Sequence, residues 1–411
     1  MKKLAYIAVG IVTLMISCQS DDINDSLEVG NQCLTYLNDG NLQRISAKAL
    51  DFVTCLQQES RSGGTDISVA SVYAWKACDI FPQTRIGDGL SSDTLLYIVN
   101  FNNDNGFALV SANEKYDGVV AYVESGSLRP TDVVDNPGFR LFVDGVAFQL
   151  SDPFFSGYTH GDSVQFGPFP RPDVWRTTAF YPPLLTTNWG QRDPFNRFCY
   201  TSEGESALAG CVAISIGQIF AYYQEPASYN GHTYNWSQIL TGARPQTEEG
   251  KTSVSELIHD IGQIVNMNYG VDESSANIDS INSCLNLFNF NFTYSYDFDF
   301  ETFETDLQDL HPCIMNGAGY SSLFGAGGHS WVIDGAIVQE RDQFLLDPPY
   351  TTVQKREFIH CNWGWNGTYN GYFIPSAFST VYDQNGENPT WVPPYYNVTT
   401  RVFYNIYPLN Q

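Results

Sequence analysis

Residues 210–220 of this chain read GCVAISIGQIF, a cysteine followed by apolar side chains at helical spacing. Gly210 gives the backbone freedom for a sharp turn before the cysteine, and Pro226 ends the apolar segment. A thiol at the N-terminus of a helix lies at the positive end of the helix dipole, which favours its thiolate form. Cys211 is therefore a candidate nucleophile. A small buried core cysteine is the alternative, and the rest of the chain must distinguish the two.

His329 is the candidate base for this thiol. It stands in GGHSWVIDG, residues 327–335, where flexible glycines precede it and an apolar strand follows, closed by a predicted turn at Asp334-Gly335. A histidine that leads into a core strand can be held rigidly while its ring faces a cleft, as suits a base for a cysteine nucleophile. A histidine satisfied in the core or in a loop is the alternative. Of the other histidines, His360 is the serious rival.

A third stretch, HCNWGWNG at residues 360–367, supplies groups that can support the base. The amide of Asn362 can orient an imidazole ring through a hydrogen bond, and the indole of Trp363 can keep water away from it. Upstream, Gln191 in NWGQ can donate to a developing oxyanion, alongside the backbone N–H of the nucleophile. An aromatic turn that packs on the core and an ordinary polar loop residue are the alternatives.

Taken in chain order, from Gln191 through Cys211 and His329 to the stretch at residues 360–367, these motifs resemble the streptopain family of papain-fold cysteine proteases. The resemblance covers about residues 180 to 380. That family carries Trp-Gly-Gln, then Gly-Cys-Val-Ala with a later Gln-Ile, then Gly-His-Ala-Phe-Val-Ile-Asp-Gly, then Asn-Trp-Gly-Trp-Gly-Gly. The resemblance implies that Cys211 is the nucleophile and His329 the general base. It also implies that Gln191 helps to form the oxyanion hole, and that Asn362 and Trp363 orient and shield His329.

Four residues differ from the family pattern, which also has a Pro-Tyr-Asn stretch after its Trp-Gly-Gln. Phe195 stands for that Tyr, Ser330 for Ala, Trp331 for Phe and Asn366 for Gly. None of them removes a functional group from the implied mechanism. Because Trp331 replaces a smaller Phe, we expect it to narrow the substrate cleft and to alter substrate preference more than activity.

Residues 30–170 precede the catalytic stretches and show a β-strand pattern. Strands are predicted at residues 94–101, 107–112 and 119–123. The pattern resembles the propeptide of the streptopain family and related inhibitors, which implies an intramolecular chaperone and inhibitor. An unrelated substrate-binding or adhesive β domain is the alternative. Prolines and arginines between residues 168 and 183 indicate an exposed joint and a cleavage zone.

The N-terminus has the pattern of a secretory signal peptide, with Met1-Lys2-Lys3, apolar residues 4–16 and then Ser17-Cys18. The apolar run is too short for a membrane-spanning anchor. Cys18 resembles the lipidated cysteine of a bacterial lipoprotein, and the acidic residues after it resemble a surface-sorting tether. We therefore expect an exported outer-membrane or cell-surface lipoprotein that meets the membrane only through its lipid. Cleavage near Cys18 and simple secretion are the alternative.

The length of 411 residues and the hydrophobic content of 43% predict two globular domains rather than disorder. With the resemblance, the expected class is α+β: a papain-like catalytic domain with a helical part and an antiparallel β part, preceded by a small α+β propeptide domain. The predicted boundaries are 1–18 for the lipoprotein signal peptide, 19–175 for the propeptide domain with its Pro-rich joint, and 176–411 for the catalytic domain.

Charge and motifs exclude several other classes of protein. The net charge of −25 argues against nucleic acid as a partner and favours solubility outside the cell. The nine cysteines contain no Cys-x-x-Cys pair, so a structural metal has no support. No Gly-rich phosphate loop occurs either, and we expect neither a metal nor a cofactor.

The expected function is that of a secreted or surface cysteine endopeptidase, made as a zymogen, that cleaves proteins or peptides and is inhibited by its own propeptide. An inactive surface adhesin of the same fold is one alternative, although Cys211, His329 and Gln191 are all present. A papain-fold amidase or transglutaminase is another, because it would use the same nucleophile and base. The propeptide-like region favours the protease.

Overall fold

The computed structural model describes residues 39–60, 66–80, 93–113, 116, 118–151, 159–165, 175–318, 328–346, 349–378 and 399–409. The predicted signal peptide, Cys18 with the acidic residues after it, and residues 168–174 of the Pro-rich joint lie outside these ranges. The described residues from Asp39 onward belong to one compact unit. Within them, no helix combines the length and the apolarity needed to cross a bilayer.

The described chain contains both helices and strands. The helices are α1 (Asp39–Ser60), α2 (Ala77–Ile80), α3 (Pro137–Ser151), α4 (Cys211–Tyr223), α5 (Trp236–Ile239), α6 (Glu248–Ile264), α7 (Ser280–Leu287) and α8 (Phe300–Gln308). The strands are β1 (Val69–Lys76), β2 (Thr94–Phe101), β3 (Phe107–Ser111), β4 (Val119–Val123), β5 (Thr159–Gln165), β6 (Arg176–Tyr181), β7 (Ser228–Tyr229), β8 (His232–Thr233), β9 (Phe290–Ser295), β10 (Cys313–Ala318), β11 (Gly328–Leu346), β12 (Pro349–Asn362), β13 (Gly371–Phe373) and β14 (Thr399–Pro408).

The helix predicted after Cys211 is confirmed, since α4 begins at Cys211 and ends at Tyr223, shortly before Pro226. Gln224 then adopts a left-handed conformation and stops the helix. Every residue of α4 from 212 to 221 is buried, so the helix packs on all sides. It contacts β11 and α6.

Helix α3 belongs to the N-terminal region and has a strong start signal. Pro137 is its first residue, where the missing N–H costs nothing. Asn136 caps it, because its Oδ1 accepts from the backbone N–H groups of Gly138 (3.0 Å) and Phe139 (3.1 Å). The cap fixes where the first turn of α3 lies, which matters for the candidate site.

The strands, apart from the β7–β8 hairpin, form one antiparallel sheet in the order β1-β2-β3-β4-β13-β12-β11-β10-β14-β9, with β5 on β12 and β6 on β11. β2, β3 and β4 confirm the three strands predicted for the N-terminal region. β4 pairs with β13, with Tyr122 opposite Tyr372, so the N-terminal and C-terminal parts share a continuous sheet. The predicted domain boundary coincides with the first residue of β6 and stays a prediction.

The turn predicted at Asp334-Gly335 is wrong, because β11 continues to Leu346 with a register shift between Ile333 and Gly335. Gly335 allows the backbone of β6 to approach β11 closely, and it does not reverse the chain. A Cβ at Gly335 would lie 2.9 Å from the carbonyl oxygen of Tyr181. Glycine inside a strand often marks a bulge or a near neighbour of this kind.

β11 separates two hydrophobic clusters. Trp331 and Ile333 belong to the cluster that includes α1 and α3, whereas Val332 belongs to the cluster that includes α4 and α6. Successive side chains of a strand point to opposite faces. This alternation decides which layer each residue near His329 meets.

Candidate active site

Cys211 is the first residue of α4 and is only partly buried, while the residues after it are enclosed. Gly210 precedes it at a φ of 89°, a conformation that glycine adopts without strain. A Cβ at Gly210 would also lie 2.5 Å from the Met267 sulfur. The sharp entry to the helix therefore depends on glycine, as the sequence indicated.

Burial raises the pKa of the Cys211 thiol, and the carboxylate of Glu273 acts in the same direction. The backbone N–H groups of Ser330 and Val212 lower the pKa by hydrogen bonding to the sulfur, but burial is the larger effect. The thiol is therefore protonated at neutral pH in this structure. The two N–H groups nevertheless mark where a thiolate would be stabilised.

His329 is the second residue of β11, and its ring is buried. Its Nε2 lies 2.8 Å from the carbonyl oxygen of Trp363, to which it donates a hydrogen bond. The ring stacks on Trp331, with ring centroids 6.1 Å apart and planes 13° apart. Burial lowers the pKa of His329 to about 4, although the Trp363 carbonyl opposes the shift. The imidazole is neutral at pH 7.

Cys211 and His329 do not form a pair here. Among the residues that the structure describes, no hydrogen bond joins the Cys211 sulfur to the His329 ring. The alternation of β11 explains why: Ser330 faces α4, with its Oγ 2.7 Å from the Ser215 Oγ, and His329 with Trp331 faces the layer of α3. Both members of the predicted pair are consequently uncharged.

Helix α3 covers the His329 ring. A Cβ on Gly138, in the first turn of α3, would lie 2.7 Å from His329 Cδ2 and 2.3 Å from Trp363 Cε3. The helix backbone therefore rests directly on these two rings. Two further contacts join α3 to the turn after β12. The cap Asn136 donates to the carbonyl of Thr368 (3.0 Å), and Phe139 stacks on Tyr369 with ring centroids 4.4 Å apart.

Asn362 is the last residue of β12 and Trp363 follows it, but their side chains have different partners. Asn362 donates from Nδ2 to the carbonyl of Thr187 (2.7 Å), and its Oδ1 accepts from Gln218 Nε2 (3.3 Å). Its amide thus lies away from His329, and the carbonyl of Trp363 holds the ring instead. The Trp363 indole is fully buried, with its Nε1 donating to the Tyr369 carbonyl (2.7 Å).

Gln191 is buried beside the turn that leads into α4. Its carbonyl accepts from the N–H of Ala209 at 3.0 Å, two residues before the candidate nucleophile. The preceding Trp189 carbonyl accepts from the N–H of Asn366 (2.8 Å). The segment from Trp189 to Gln191 therefore lies between the helix entry and the aromatic turn, which is a suitable place for an oxyanion-binding group.

Trp331 does not line a cleft, contrary to the expectation from its size. It is fully buried, with its ring 5.2 Å from that of Trp363 and 5.4 Å from that of Phe378. Its position on the α3 face of β11 makes it part of the support beneath His329.

His360, the rival base, is occupied elsewhere. Its Nδ1 lies 2.6 Å from Asp334 Oδ1, and its Nε2 lies 3.5 Å from a carboxylate oxygen of Glu124. Burial alone would lower the pKa of His360, but Asp334 and Glu124 outweigh it and raise the pKa to about 10. Asp334 Oδ2 also accepts from the N–H of Leu185 at 2.8 Å. His360 is therefore a charged structural partner of Asp334.

Gln218 is a contributor to the site for which the sequence analysis assigned no role. It is fully buried in α4 and bonds to Thr187, Trp189 and Asn362. The available signal was a polar amide within an apolar helix, about two turns after Cys211 and hence on the same face.

Two family models match separate stretches of this chain. Residues 189–373 match the Peptidase C10 family, and residues 52–148 match the Spi protease inhibitor family. Streptopain from Streptococcus pyogenes is 25% identical over 360 residues, which cover 74% of this chain and 81% of streptopain. The thiol protease/hemagglutinin PrtT from Porphyromonas gingivalis is 23% identical over 392 residues, covering 83% of this chain and 39% of PrtT.

The fold is similar to that of a prointerpain A fragment from Prevotella intermedia, with a TM-score of 0.54 and 20% identity. The likeness covers 77% of this chain and 97% of that fragment. The predicted architecture, a papain-like domain with a propeptide-like region before it, is thereby confirmed. Together with the two family matches in this order, it identifies residues 189–373 as a cysteine-type peptidase domain of the Peptidase C10, or streptopain, family, preceded by a Spi-inhibitor-like propeptide region.

Proposed function

We propose that the chain is the latent precursor of an exported cysteine endopeptidase, with Cys211 as nucleophile and His329 as general base. The observation that carries the proposal is the position of Cys211, which is partly exposed as the first residue of α4, at the positive end of the helix dipole and within the stretch 189–373 that matches the Peptidase C10 family. Such a position suits a thiolate once a base is available. Gln191 would contribute to the oxyanion hole. Asn362 and Trp363 would orient and shield His329 once its ring has turned toward α4.

Latency follows from the position of His329 in this structure. Helix α3 and the Trp363 carbonyl hold the ring on the face of β11 opposite to α4. When α3 leaves, the ring regains solvent and room to turn, so its pKa can rise and it can accept the thiol proton. The resulting thiolate–imidazolium pair is the reactive form of a cysteine peptidase, and its two members titrate as a unit.

The chemistry then needs no group beyond those named. The Cys211 thiolate attacks the peptide carbonyl carbon, and its oxygen becomes an oxyanion facing Gln191 and the N–H of Cys211. Protonated His329 gives its proton to the leaving amine as the carbon–nitrogen bond breaks. Water, deprotonated by His329, hydrolyses the thioester and restores the thiol.

Labelling the processed chain tests the activity and the nucleophile together. We expect casein hydrolysis that a thiol-reactive irreversible inhibitor abolishes, with the mass label on Cys211. The buried thiols of Cys284 and Cys313, which remain in the processed chain, serve as the internal comparison for non-selective labelling. Unchanged hydrolysis after complete labelling of Cys211 would contradict the assignment. Acyl transfer without hydrolysis would instead favour the transglutaminase alternative.

The buried, neutral His329 predicts that acid destabilises the closed precursor. Its pKa is about 4 in the folded chain and about 6.5 when unfolded. Between these values the unfolded chain binds more protons, so the free energy of unfolding falls as pH falls, by up to about 3 kcal/mol. Urea unfolding of Cys211→Ala protein between pH 7.5 and pH 4 measures this. The added substitution His329→Gln should flatten the slope, and equal slopes would contradict a neutral buried imidazole.

Export and anchoring rest on the N-terminal sequence, which favours a lipoprotein with Cys18 as its acylated first residue. One acyl chain holds a protein only marginally, so stable anchoring implies a multiply acylated cysteine. Cys18→Ser should abolish incorporation of labelled fatty acid and move the chain out of the membrane fraction or stall its maturation, while Cys33→Ser should change neither. If wild-type protein is found wholly in the medium with an unmodified N-terminus, lipid anchoring is contradicted and simple secretion is supported.

A further inference from the structure

Gln218 lies in the middle of α4 and has no exposed surface. It follows Cys211 by about two helical turns, so both side chains lie on one face of the helix. The residues around it in α4 are apolar and buried. A buried primary amide is costly unless its polar atoms are bonded, and a leucine or methionine would fill a similar volume without that cost.

The amide is bonded on both sides, to two separate segments. Gln218 Oε1 accepts from the Thr187 hydroxyl (3.1 Å) and from the backbone N–H of Trp189 (3.2 Å). Gln218 Nε2 donates to Asn362 Oδ1 (3.3 Å). Asn362 in turn donates to the Thr187 backbone carbonyl (2.7 Å), which closes a ring of three residues.

The segment that carries Gln191 is consequently held at two points, one on α4 and one on the turn that leads into it. One is the bond from the Trp189 N–H to Gln218, and the other is the bond from the Ala209 N–H to the Gln191 carbonyl. Catalytic groups lose effectiveness when they are displaced by about 0.5 Å or more. A tie on each side of Gly190 gives the segment a fixed distance from the start of the helix.

We propose that Gln218 is a positioning residue for the oxyanion segment, acting through Trp189 on Gln191 and through Asn362 on the aromatic turn after β12. This inference rests on the proposed role of Gln191. It assigns no contact with substrate to Gln218. It explains why an apolar helix contains one fully buried amide at the level of Thr187 and Asn362.

Two substitutions separate the two sides of the amide in the processed enzyme. Gln218→Leu removes all three bonds. Gln218→Glu keeps the acceptor for Thr187 and Trp189 but places a carboxylate oxygen against Asn362 Oδ1. Tyr223→Phe is the matched control, because it removes a single bond from the same helix to the Ile406 carbonyl (2.6 Å), far from the oxyanion segment.

We expect Gln218→Leu to lower kcat by about 10- to 100-fold, less than the loss of an oxyanion donor itself, with KM within about twofold of wild type. Gln191→Ala should then cost much less in the Gln218→Leu background than it costs in the wild-type enzyme, because the two losses share one cause. Gln218→Glu should fall between Gln218→Leu and wild type. Losses that simply multiply, or an equal fall in kcat for Tyr223→Phe, would overturn the proposal.

Amide hydrogen exchange gives a readout that does not need peptidase activity. The Trp189 N–H should lose protection in Gln218→Leu and keep it in Tyr223→Phe, at equal overall stability measured by urea unfolding. Unchanged protection at Trp189 in Gln218→Leu would overturn the positioning role. If protection is lost but the processed wild-type chain cleaves no peptide, the positioning role stands and only the proposed function fails.

Discussion

Substituting Cys211 with alanine is expected to lower casein hydrolysis by about 10⁴-fold or more, as removal of a nucleophile does in other peptidases. The fold should survive, since Cys211 is partly exposed and the buried residues of α4 start at Val212. Its N-cap turn depends on Gly210 and Met267, which the substitution leaves in place. Activity and structure should therefore separate cleanly in this variant.

The same variant reports on self-processing. Wild-type chain should shorten within about residues 165 to 185, in the joint between β5 and β6, whereas Cys211→Ala should stay at full length on a gel and by intact mass. Cys78→Ala, which removes an exposed cysteine of the N-terminal region, should process like wild type. Equal shortening of the Cys211→Ala chain would show that a different protease makes the cut.

Substituting Gly138 with valine is expected to weaken latency strongly. The added carbons must occupy space that Trp363 and His329 already fill, at 2.3 Å and 2.7 Å from the first of them. Both rings are buried and cannot move aside cheaply. Overpacking of this kind costs about 1–3 kcal/mol, which corresponds to a shift of about 5- to 150-fold toward the open precursor.

The rate at which iodoacetamide alkylates Cys211 in full-length chain measures this opening, because the thiolate is the reactive form. Peptide mapping separates Cys211 from the other cysteines. Gly118→Ala is the matched control in the N-terminal region, since its Cβ would meet the end of the Arg356 side chain at 3.2 Å and Tyr116 Cε1 at an ordinary 3.9 Å. Equal alkylation rates for Gly138→Val and wild type would remove α3 as the element that holds His329 away.

Local patterns were enough to predict the elements that carry the site. The helix after Cys211 is predicted by apolar residues at helical spacing, by a glycine before its first residue and by a proline after its last, all within about 16 residues. The strand after His329 and the three N-terminal strands are similarly local. Each of these predictions depends on neighbours in sequence, which is why they agree with the structure.

The direction of the His329 ring could not be predicted in this way. It depends on the side of β11 that α3 covers, and α3 lies almost 200 residues earlier in the chain. The same holds for Gln218, whose partners come from two distant segments. At Asp334 the local pattern gave a wrong prediction. The Asp-Gly pair is typical of a turn, but here it lies at a register shift inside β11, and the Asp334 carboxylate bonds to His360 and to the N–H of Leu185.

The pairing of β4 with β13 has a consequence for what a single cut achieves. A break in the joint between β5 and β6 removes none of the hydrogen bonds from Tyr122 and its neighbours to β13, and none of the contacts of α3. It turns one chain into a two-chain complex, so the fraction held closed then follows mass action. Latency of the cut enzyme fades on dilution, whereas latency of the uncut chain is independent of concentration.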